Sequence, residues 1–475
     1  MPKLTIDGKQ IEVPEGTNLI EAARKVGAEV PHYCYHPKLS IAGNCRICQV
    51  EIEKMPKLQI ACNTKATEGM VVHTKNPRVL EARQGVLEFI LVNHPIDCPV
   101  CDQAGECKLQ EYYMQHDLKV SRMEEEKVHK DKAIPLGPHV MLDMERCILC
   151  SRCIRFCQEI AHEDQLCFIE RGDHTELTCY PGKALGNPYS LNTVDVCPVG
   201  ALTSSDFRFK QRVWFLKSTD SICPGCSTGC NIKIQHNKGI IYRLLPRENP
   251  EVNQGWMCDE GRMTYKEVNE PNRLRTPFVR TEKGLEGVRM KKAIEMLVQI
   301  FRGIDSSAIV GIGSAWGTNE DNLAMMECLR EIGVQDFYFH AKEVDHPSQD
   351  QFLISPDKNP NRAGVTALGM NPIPASDFRR YQGFVILGGV AESVIQPLSF
   401  EKGRKVALFV SHQSSEYEYA DLIFPIASWA ESEGTFTNKK GMRQEILPAF
   451  SPPGEARQAS EIFKEIQREW KSPPH

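Results

Sequence analysis

Long apolar runs are missing from this sequence. The strongest, near Val86–Val92 and Gly383–Val390, fall far short of the roughly 20 residues that a membrane-spanning helix needs. The opening residues, Met1-Pro-Lys-Leu-Thr-Ile-Asp-Gly8, contain no apolar core of the secretory type, so secretion is not expected. Positive charge is not in surplus either. Lys and Arg number 57 against 62 Asp and Glu, a net charge of −5, which disfavours nucleic acid as a partner. No repeat of solenoid length and no low-complexity tract interrupts 475 residues of ordinary composition. Cysteine, finally, is almost absent from the last 217 residues, which hold Cys328 alone.

What remains is a crowd of cysteines in the first half: 18 of the 19 precede residue 259. A chain this long builds its cores without disulfide staples, and without a secretory signal its thiols are expected to stay reduced. Metal ligation is then the most useful reading. Around the cysteines, Leu4–Val13 alternates across Asp7-Gly8 as a hairpin, and Asn18 and Glu21 have capping-box spacing for a helix that Gly27 ends. A short strand is expected at Met70–His73, and a helix over Val79–Val92 that Pro95 stops. The charge-dense stretch Ser121–Lys132 reads as a solvated connection. Beyond Pro271, strand patterns at Ile309–Ser314, Phe384–Gly389 and Val406–Val410 lie among helical ones at Lys291–Phe301 and Glu320–Glu331, which predicts a doubly wound α/β domain.

Sorted by spacing, the cysteines fall into four sets. Cys34, Cys45, Cys48 and Cys62 suit a binuclear iron–sulfur cluster, with a four-cysteine zinc site as the alternative. Cys98, Cys101 and Cys107 are one ligand short of four, and His94 is the nearest soft donor. Cys147, Cys150 and Cys153 have the intervals of a tetranuclear cluster. Counting back from Cys197 finds no second triad, so Cys197 is expected to complete this one and Cys157 to stand by. Cys223, Cys226, Cys230 and Cys258 suit a further tetranuclear cluster or a zinc ribbon. Cys157, Cys167, Cys179 and Cys328 are left over, expected to pack as small hydrophobes. Arg46, Lys108, Arg146, Arg152 and Arg155 stand near ligands in sequence; each taken singly reads as an ordinary solvated side chain.

These four motifs in this order resemble the large iron–sulfur subunit in the peripheral arm of bacterial NADH:quinone oxidoreductase (respiratory complex I). Ala420-Asp-Leu-Ile-Phe-Pro425 and Ala430–Asn438 further resemble the molybdopterin oxidoreductase superfamily. The resemblance implies α+β ferredoxin-like modules, a β-grasp 2Fe-2S domain and then 4Fe-4S modules, followed by a shortened α/β doubly wound domain. Expected boundaries are 1–78, 79–118, 119–212, 213–271 and 272–475. It implies one 2Fe-2S cluster on the Cys34 set and three 4Fe-4S clusters: on His94, Cys98, Cys101 and Cys107; on Cys147, Cys150, Cys153 and Cys197; and on the Cys223 set. Electrons would come from a flavoprotein (NADH/FMN-binding) subunit and leave to downstream iron–sulfur subunits on the way to quinone. The Cys223 cluster would lie off that path. The assembly would sit on the inner, cytoplasmic face of the cell membrane. Typical members run several hundred residues further. After residue 330 the chain offers Lys342, Asp345 and His346 but no cysteine or selenocysteine to ligate a molybdenum or tungsten atom, and the final cofactor-clasping domain is expected to have no room before His475. No molybdopterin and no substrate site are therefore expected. The competing readings are the catalytic or electron-transfer subunit of an NAD-linked formate dehydrogenase, or a hydrogenase diaphorase module.

Overall fold

Asp7 and Gly8 turn the chain back on itself in the computed structural model of the protein, both at positive φ (+45° and +81°). That pairing matches the twist of a two-residue hairpin and joins β1 (Lys3–Ile6) to β2 (Lys9–Glu12). The structure describes residues 1–116, 120–374, 378–388 and 403–473. It divides into two compact units, Met1–Phe215 and Leu216–His475, taken separately below.

In the first unit, α1 (Leu19–Lys25) starts at Asn18, whose side chain accepts from Glu21 N–H at 3.0 Å. The reciprocal half of the capping box does not form, because Glu21 pairs with Arg24 and accepts from Tyr35 Oη instead. Strands β3 (Gln49–Ile52), β4 (Gln59–Ile60) and β5 (Val71–His73) complete a five-stranded sheet of order β2-β1-β5-β3-β4. Leu4, Ile6, Leu19, Ile20, Val50 and Val72 pack into one core with α1 over the sheet. Helix α2 (Pro77–Leu91) begins two residues before the expected start. Asn76 accepts from Val79 N–H at 2.9 Å, and Pro77 suits the first helical position. After α3 (Lys108–His116), the stretch 121–132 is only partly the solvated connection expected of it. Lys127 Nζ caps the end of α2 by donating to Leu91 C=O (2.8 Å) and His94 C=O (2.7 Å). Strands β6 (Ile134–Pro135) and β7 (Val140–Leu142), helix α4 (Arg152–Glu159), the hairpin β8 (Leu166–Ile169) with β9 (Glu176–Cys179), helix α5 (Asn192–Val196) and strand β10 (Leu202–Ser204) follow.

The second unit opens with an antiparallel sheet of β11 (Lys217–Ile222), β12 (Asn231–Asn237) and β13 (Ile240–Pro246). Two short helices, α6 (Asp259–Arg262) and α7 (Tyr265–Val268), lead to an eight-stranded mixed sheet. Its central strands β16 (Ile309–Ser314), β17 (Asp336–His340), β19 (Gly383–Leu387), β20 (Lys405–Val410) and β21 (Leu422–Pro425) run parallel, with β18 (Asn371–Pro372) at one edge. Strands β14 (Phe278–Thr281) and β15 (Gly284–Gly287) extend the other edge antiparallel. Helices α8 (Met290–Arg302), α9 (Asn319–Glu331) and Ala459–Lys471 bury one face, with Phe301, Met325, Leu329 and Phe463 in the core. The expected strands and helices are all there; Gly389 and Val390 lie outside the described residues. Gly311 and Gly313 have a packing role. An added Cβ at 311 would meet Leu329 at 2.8 Å and Phe337 at 2.9 Å, and one at 313 would collide with Asn322, so α9 approaches β16 only because both are bare.

At the end of β17, His340 is 8% exposed, and its Nε2 lies 2.9 Å from Leu387 C=O, which assigns the proton to Nε2 of a neutral ring. Burial lowers its pKa to about 4 from 6.5. Between those values the unfolded chain binds the extra proton, so stability falls as pH drops from about 6.5 toward 4, by up to about 3 kcal/mol. Denaturant unfolding followed by tryptophan fluorescence should show this slope, and His340→Gln should flatten it.

Candidate iron–sulfur centres

The Cys34 set gathers at the edge of the β-grasp sheet. Cys34 N–H points at Cys45 Sγ (3.4 Å), and Ala61 N–H donates to Cys48 C=O (2.9 Å), which brings the turn bearing Cys62 against Cys48. The thiols act on one another in pairs: the neighbouring Cys45 lowers Cys34 and Cys48 lowers Cys62, while Cys45 and Cys48 are themselves pushed up. Between the ligands, Arg46 takes φ +59°, which turns the loop sharply without a glycine. Arg83, 1% exposed, donates to the C=O of Gln49, the residue after Cys48, at 3.0 Å.

Cys150 and Cys153 are buried, and Leu149 and Ser151 flank Cys150 at φ +54° and +60°. Such conformations cost of order 1–3 kcal/mol each and persist where the surroundings enforce them. Cys197 follows α5 and lies close enough to Cys147, Cys150 and Cys153 for a charge on it to raise each of them. Desolvation raises these thiols, Cys150 to about 11. Cys98, Cys101 and Cys107 also act on one another, with Cys107 raised to about 11 by burial. His94 lies three residues past α2, and burial lowers its pKa to about 4, so the ring is neutral. Ile96 N–H donates to Nδ1 at 3.1 Å, which assigns the ring proton to Nε2. Metal ligation through Nε2 would move that proton to Nδ1 and give up this bond. A cavity of about 490 Å³ is lined by Cys45, His94 and Cys147 together.

The three sets of this unit are tied by hydrogen bonds. Asn44 Nδ2 donates to Leu149 C=O (3.0 Å), and Lys108 N–H, next to Cys107, donates to Pro198 C=O (3.0 Å), next to Cys197. Arg146 Nε donates to Asp97 at 2.9 Å, and its guanidinium pairs with Asp143 at 3.1 Å. Three of the five basic residues expected to be solvated are not: Arg146, Arg152 and Arg155 are 4%, 9% and 8% exposed, whereas Arg46 and Lys108 do face solvent. No sequence pattern singles out Asp97, inside the His94–Cys98 motif, or Gly200, three residues after Cys197. Arg83 carried a legible signal, since it stands at the middle of the apolar stripe Val79, Arg83, Leu87 on α2.

In the second unit, Cys223 N–H donates to Cys230 C=O (2.8 Å), closing the loop between β11 and β12. Gly225 N–H points at Cys223 Sγ (3.4 Å) and Gly261 N–H at Cys258 Sγ (3.3 Å). A Cβ on Gly261 would stand 3.1 and 3.2 Å from the sulfurs of Cys223 and Cys258. Burial raises all of Cys223, Cys230 and Cys258. Of the leftover cysteines, Cys157 and Cys328 are buried as expected, while Cys167 and Cys179 are part-exposed on the β8–β9 hairpin.

Among the described residues, no three His, Cys, Asp or Glu side chains close on one point as a single metal ion would require. The donor chemistry that fits iron–sulfur clusters is present: sheltered sulfurs in four sets, amide N–H groups aimed at sulfur, and cations alongside. Family models agree. Residues 2–77 match a 2Fe-2S iron-sulfur cluster binding domain, 83–122 the NADH-ubiquinone oxidoreductase-G iron-sulfur binding region, and 137–203 the ferredoxin-like domain of NADH-quinone oxidoreductase subunit 3. Residues 216–270 match a molybdopterin oxidoreductase Fe4S4 domain and 401–469 molybdopterin oxidoreductase. The NADH-quinone oxidoreductase G subunit of Rickettsia bellii is 41% identical over 338 residues, covering 71% of this chain and 49% of the relative. The chain is a relative of these large iron–sulfur subunits. The NADH-ubiquinone oxidoreductase 75 kDa subunit of Reclinomonas americana is 39% identical over 78% of this chain and 54% of its own length. This chain thus spans about half the length of the curated relatives it matches. A solved NAD+-reducing [NiFe]-hydrogenase in the H2-reduced state overlaps 45% of this chain and 91% of its own, at 27% identity and TM-score 0.41. The chain carries 2Fe-2S and 4Fe-4S binding domains followed by a molybdopterin oxidoreductase-like domain.

A methyl group on Gly200 would overlap Cys101 Sγ, and Gln103 Cβ stands 3.1 Å away. Gly200→Ala should therefore cost about 1–3 kcal/mol by overpacking and lower iron retention at the Cys98–Cys107 loop. Gly85→Ala, with nothing within 4 Å and a helical position, should leave iron unchanged and raise the melting temperature slightly. Iron assay and thermal melts of the two variants check both.

Proposed function

We propose that this chain is an iron–sulfur electron-relay subunit of an NADH:quinone oxidoreductase, standing between a flavoprotein subunit that binds NADH and FMN and downstream iron–sulfur subunits of the peripheral arm. The observation that carries this reading is the direct tying of three thiol sets within one unit, above all Lys108 N–H to Pro198 C=O between the residues that follow Cys107 and Cys197. Cys34, Cys45, Cys48 and Cys62 would hold a 2Fe-2S cluster. His94 with Cys98, Cys101 and Cys107, the Cys147 set with Cys197, and the Cys223 set would each hold a 4Fe-4S cluster. Bound clusters would supply one-electron transfer. The chain's own part is to present soft ligands, exclude water and hold cations beside them. The region 272–475 is read as a platform with no substrate site of its own. No helix among the described residues is long and apolar enough to cross a membrane; the chain would be held at the inner face of the cell membrane by its partners.

Anaerobically purified full chain should carry about 14 iron per chain with matching sulfide, on the cluster types assigned. Stoichiometric zinc in place of iron would remove the relay, and stoichiometric pterin would end the platform reading. In an EPR redox titration, His94→Cys should keep the iron content and move the potential of one centre alone. An unchanged titration would show that His94 is not a ligand.

A further inference from the structure

Two guanidiniums on α4 lie between the Cys34 set and the Cys147 set. Arg155 Nη2 donates to Cys34 C=O at 2.6 Å and to Cys150 C=O at 3.2 Å, so one nitrogen spans a ligand of each set. Its Nη1 donates to Ser40 C=O and its Nε to Ser151 Oγ (3.1 Å). One turn earlier, Arg152 donates to Tyr35 C=O, beside Cys34, and to Val196 C=O (3.2 Å), beside Cys197. Each of these acceptors is a neutral oxygen. Arginine stays protonated in proteins, and a buried cation whose hydrogen bonds end on neutral groups requires negative charge close by. The strongest charges acting on Arg152 are Cys150, Cys197, Cys34 and Cys45, members of both sets. Arg155 likewise acts on Cys34 and on Cys150. The spacing is reinforced from outside by Glu159, which accepts from Ser40 N–H (2.8 Å) and Ser40 Oγ (2.5 Å).

We propose that Arg155, with Arg152 beside it, is a positioning residue shared by two centres: it fixes the Cys34 loop against the Cys147–Cys153 loop and places one permanent positive charge where it raises the potential of both. This goes beyond the relay reading but rests on it. Reduction adds an electron to an already anionic thiolate-bound group, so a cation common to both favours the reduced form of each.

The test is an anaerobic EPR titration of the full chain with dithionite and mediators, comparing Arg155→Gln with Arg155→Lys. The Gln variant removes the charge and keeps a donor. It should lower the one-electron reduction constant of both centres by about tenfold, a fall of about 59 mV in each midpoint. The Lys variant keeps the charge and should hold both midpoints near the parent values. A shift in one centre only, or equal behaviour of Gln and Lys, would overturn the proposal, because a purely structural tie does not distinguish the two. Should Arg155→Gln lose iron, Arg152→Gln against Arg152→Lys asks the same question of the neighbouring guanidinium. If both Gln variants lose iron, retention by the Lys variants supports the requirement for charge, and loss by them contradicts it. Iron content and signals of the unsubstituted chain test the cluster reading separately, so its failure cannot be confused with failure of this one.

Discussion

A guanidinium taken out of water must find compensating charge, and the N-terminal unit buries four of them, Arg83, Arg146, Arg152 and Arg155. The penalty for an unpaired buried ion is several kcal/mol even after relaxation. Arg146 meets it with two carboxylates, Asp97 and Asp143. Arg83, Arg152 and Arg155 rest their donors mainly on backbone carbonyls, which satisfy hydrogen bonds but cancel no charge. The same unit buries sulfurs whose thiolate forms are disfavoured by that burial. Thiolates bound to iron would answer both problems at once, and would link cluster loading to the stability of the unit through one electrostatic balance.

The segment from Arg146 to Glu159 is the hub of this arrangement. It bears the Cys147 triad, reaches one neighbouring loop through Arg146 to Asp97, and the other through Arg152, Arg155 and Glu159. Most of these ties end on backbone atoms within a few residues of a ligand. A backbone carbonyl moves less than a side-chain tip, so such ties fix the separation between sites more firmly than surface ion pairs would. The positive φ values at Leu149 and Ser151 fit the same picture, since local strain is held where surrounding bonds over-determine the chain.

The cysteine spacings were legible in the sequence because a Cys-x2-Cys interval is a local property, and so were the helices and strands that follow periodic patterns. The ties between loops were not. Arg155 and Cys34 are 121 residues apart, and nothing in the order of residues around either one points to the other. Arg46 and Arg152 stand equally close to cysteines in sequence, yet one is exposed and the other buried, a difference made by which loop α4 happens to face. Gly200 was illegible for the same reason, its neighbour being Cys101. Arg83 was the exception that periodicity could have found, a charge set in an apolar stripe.

The fourth set raises a different point, about where a domain ends. A boundary after residue 271 treats its loop as a module separable from the α/β sheet, but the buried polar groups of that loop are satisfied from the far end of the chain. Ser227 Oγ bonds Ser355 Oγ (2.8 Å), Thr228 Oγ1 donates to Leu353 C=O (2.6 Å), and Lys439 N–H donates to Ser227 C=O (2.7 Å). Gln444, on the strand Arg443–Ile446, accepts from Asn231 Nδ2 (2.6 Å) and donates to Gly229 C=O (2.9 Å). A buried polar group left unpaired costs about 1–3 kcal/mol, so cutting the chain at 271 would strand several of them at once. The Cys223 loop is thus bonded into the same compact unit as the α/β sheet, which satisfies the loop's buried polar groups.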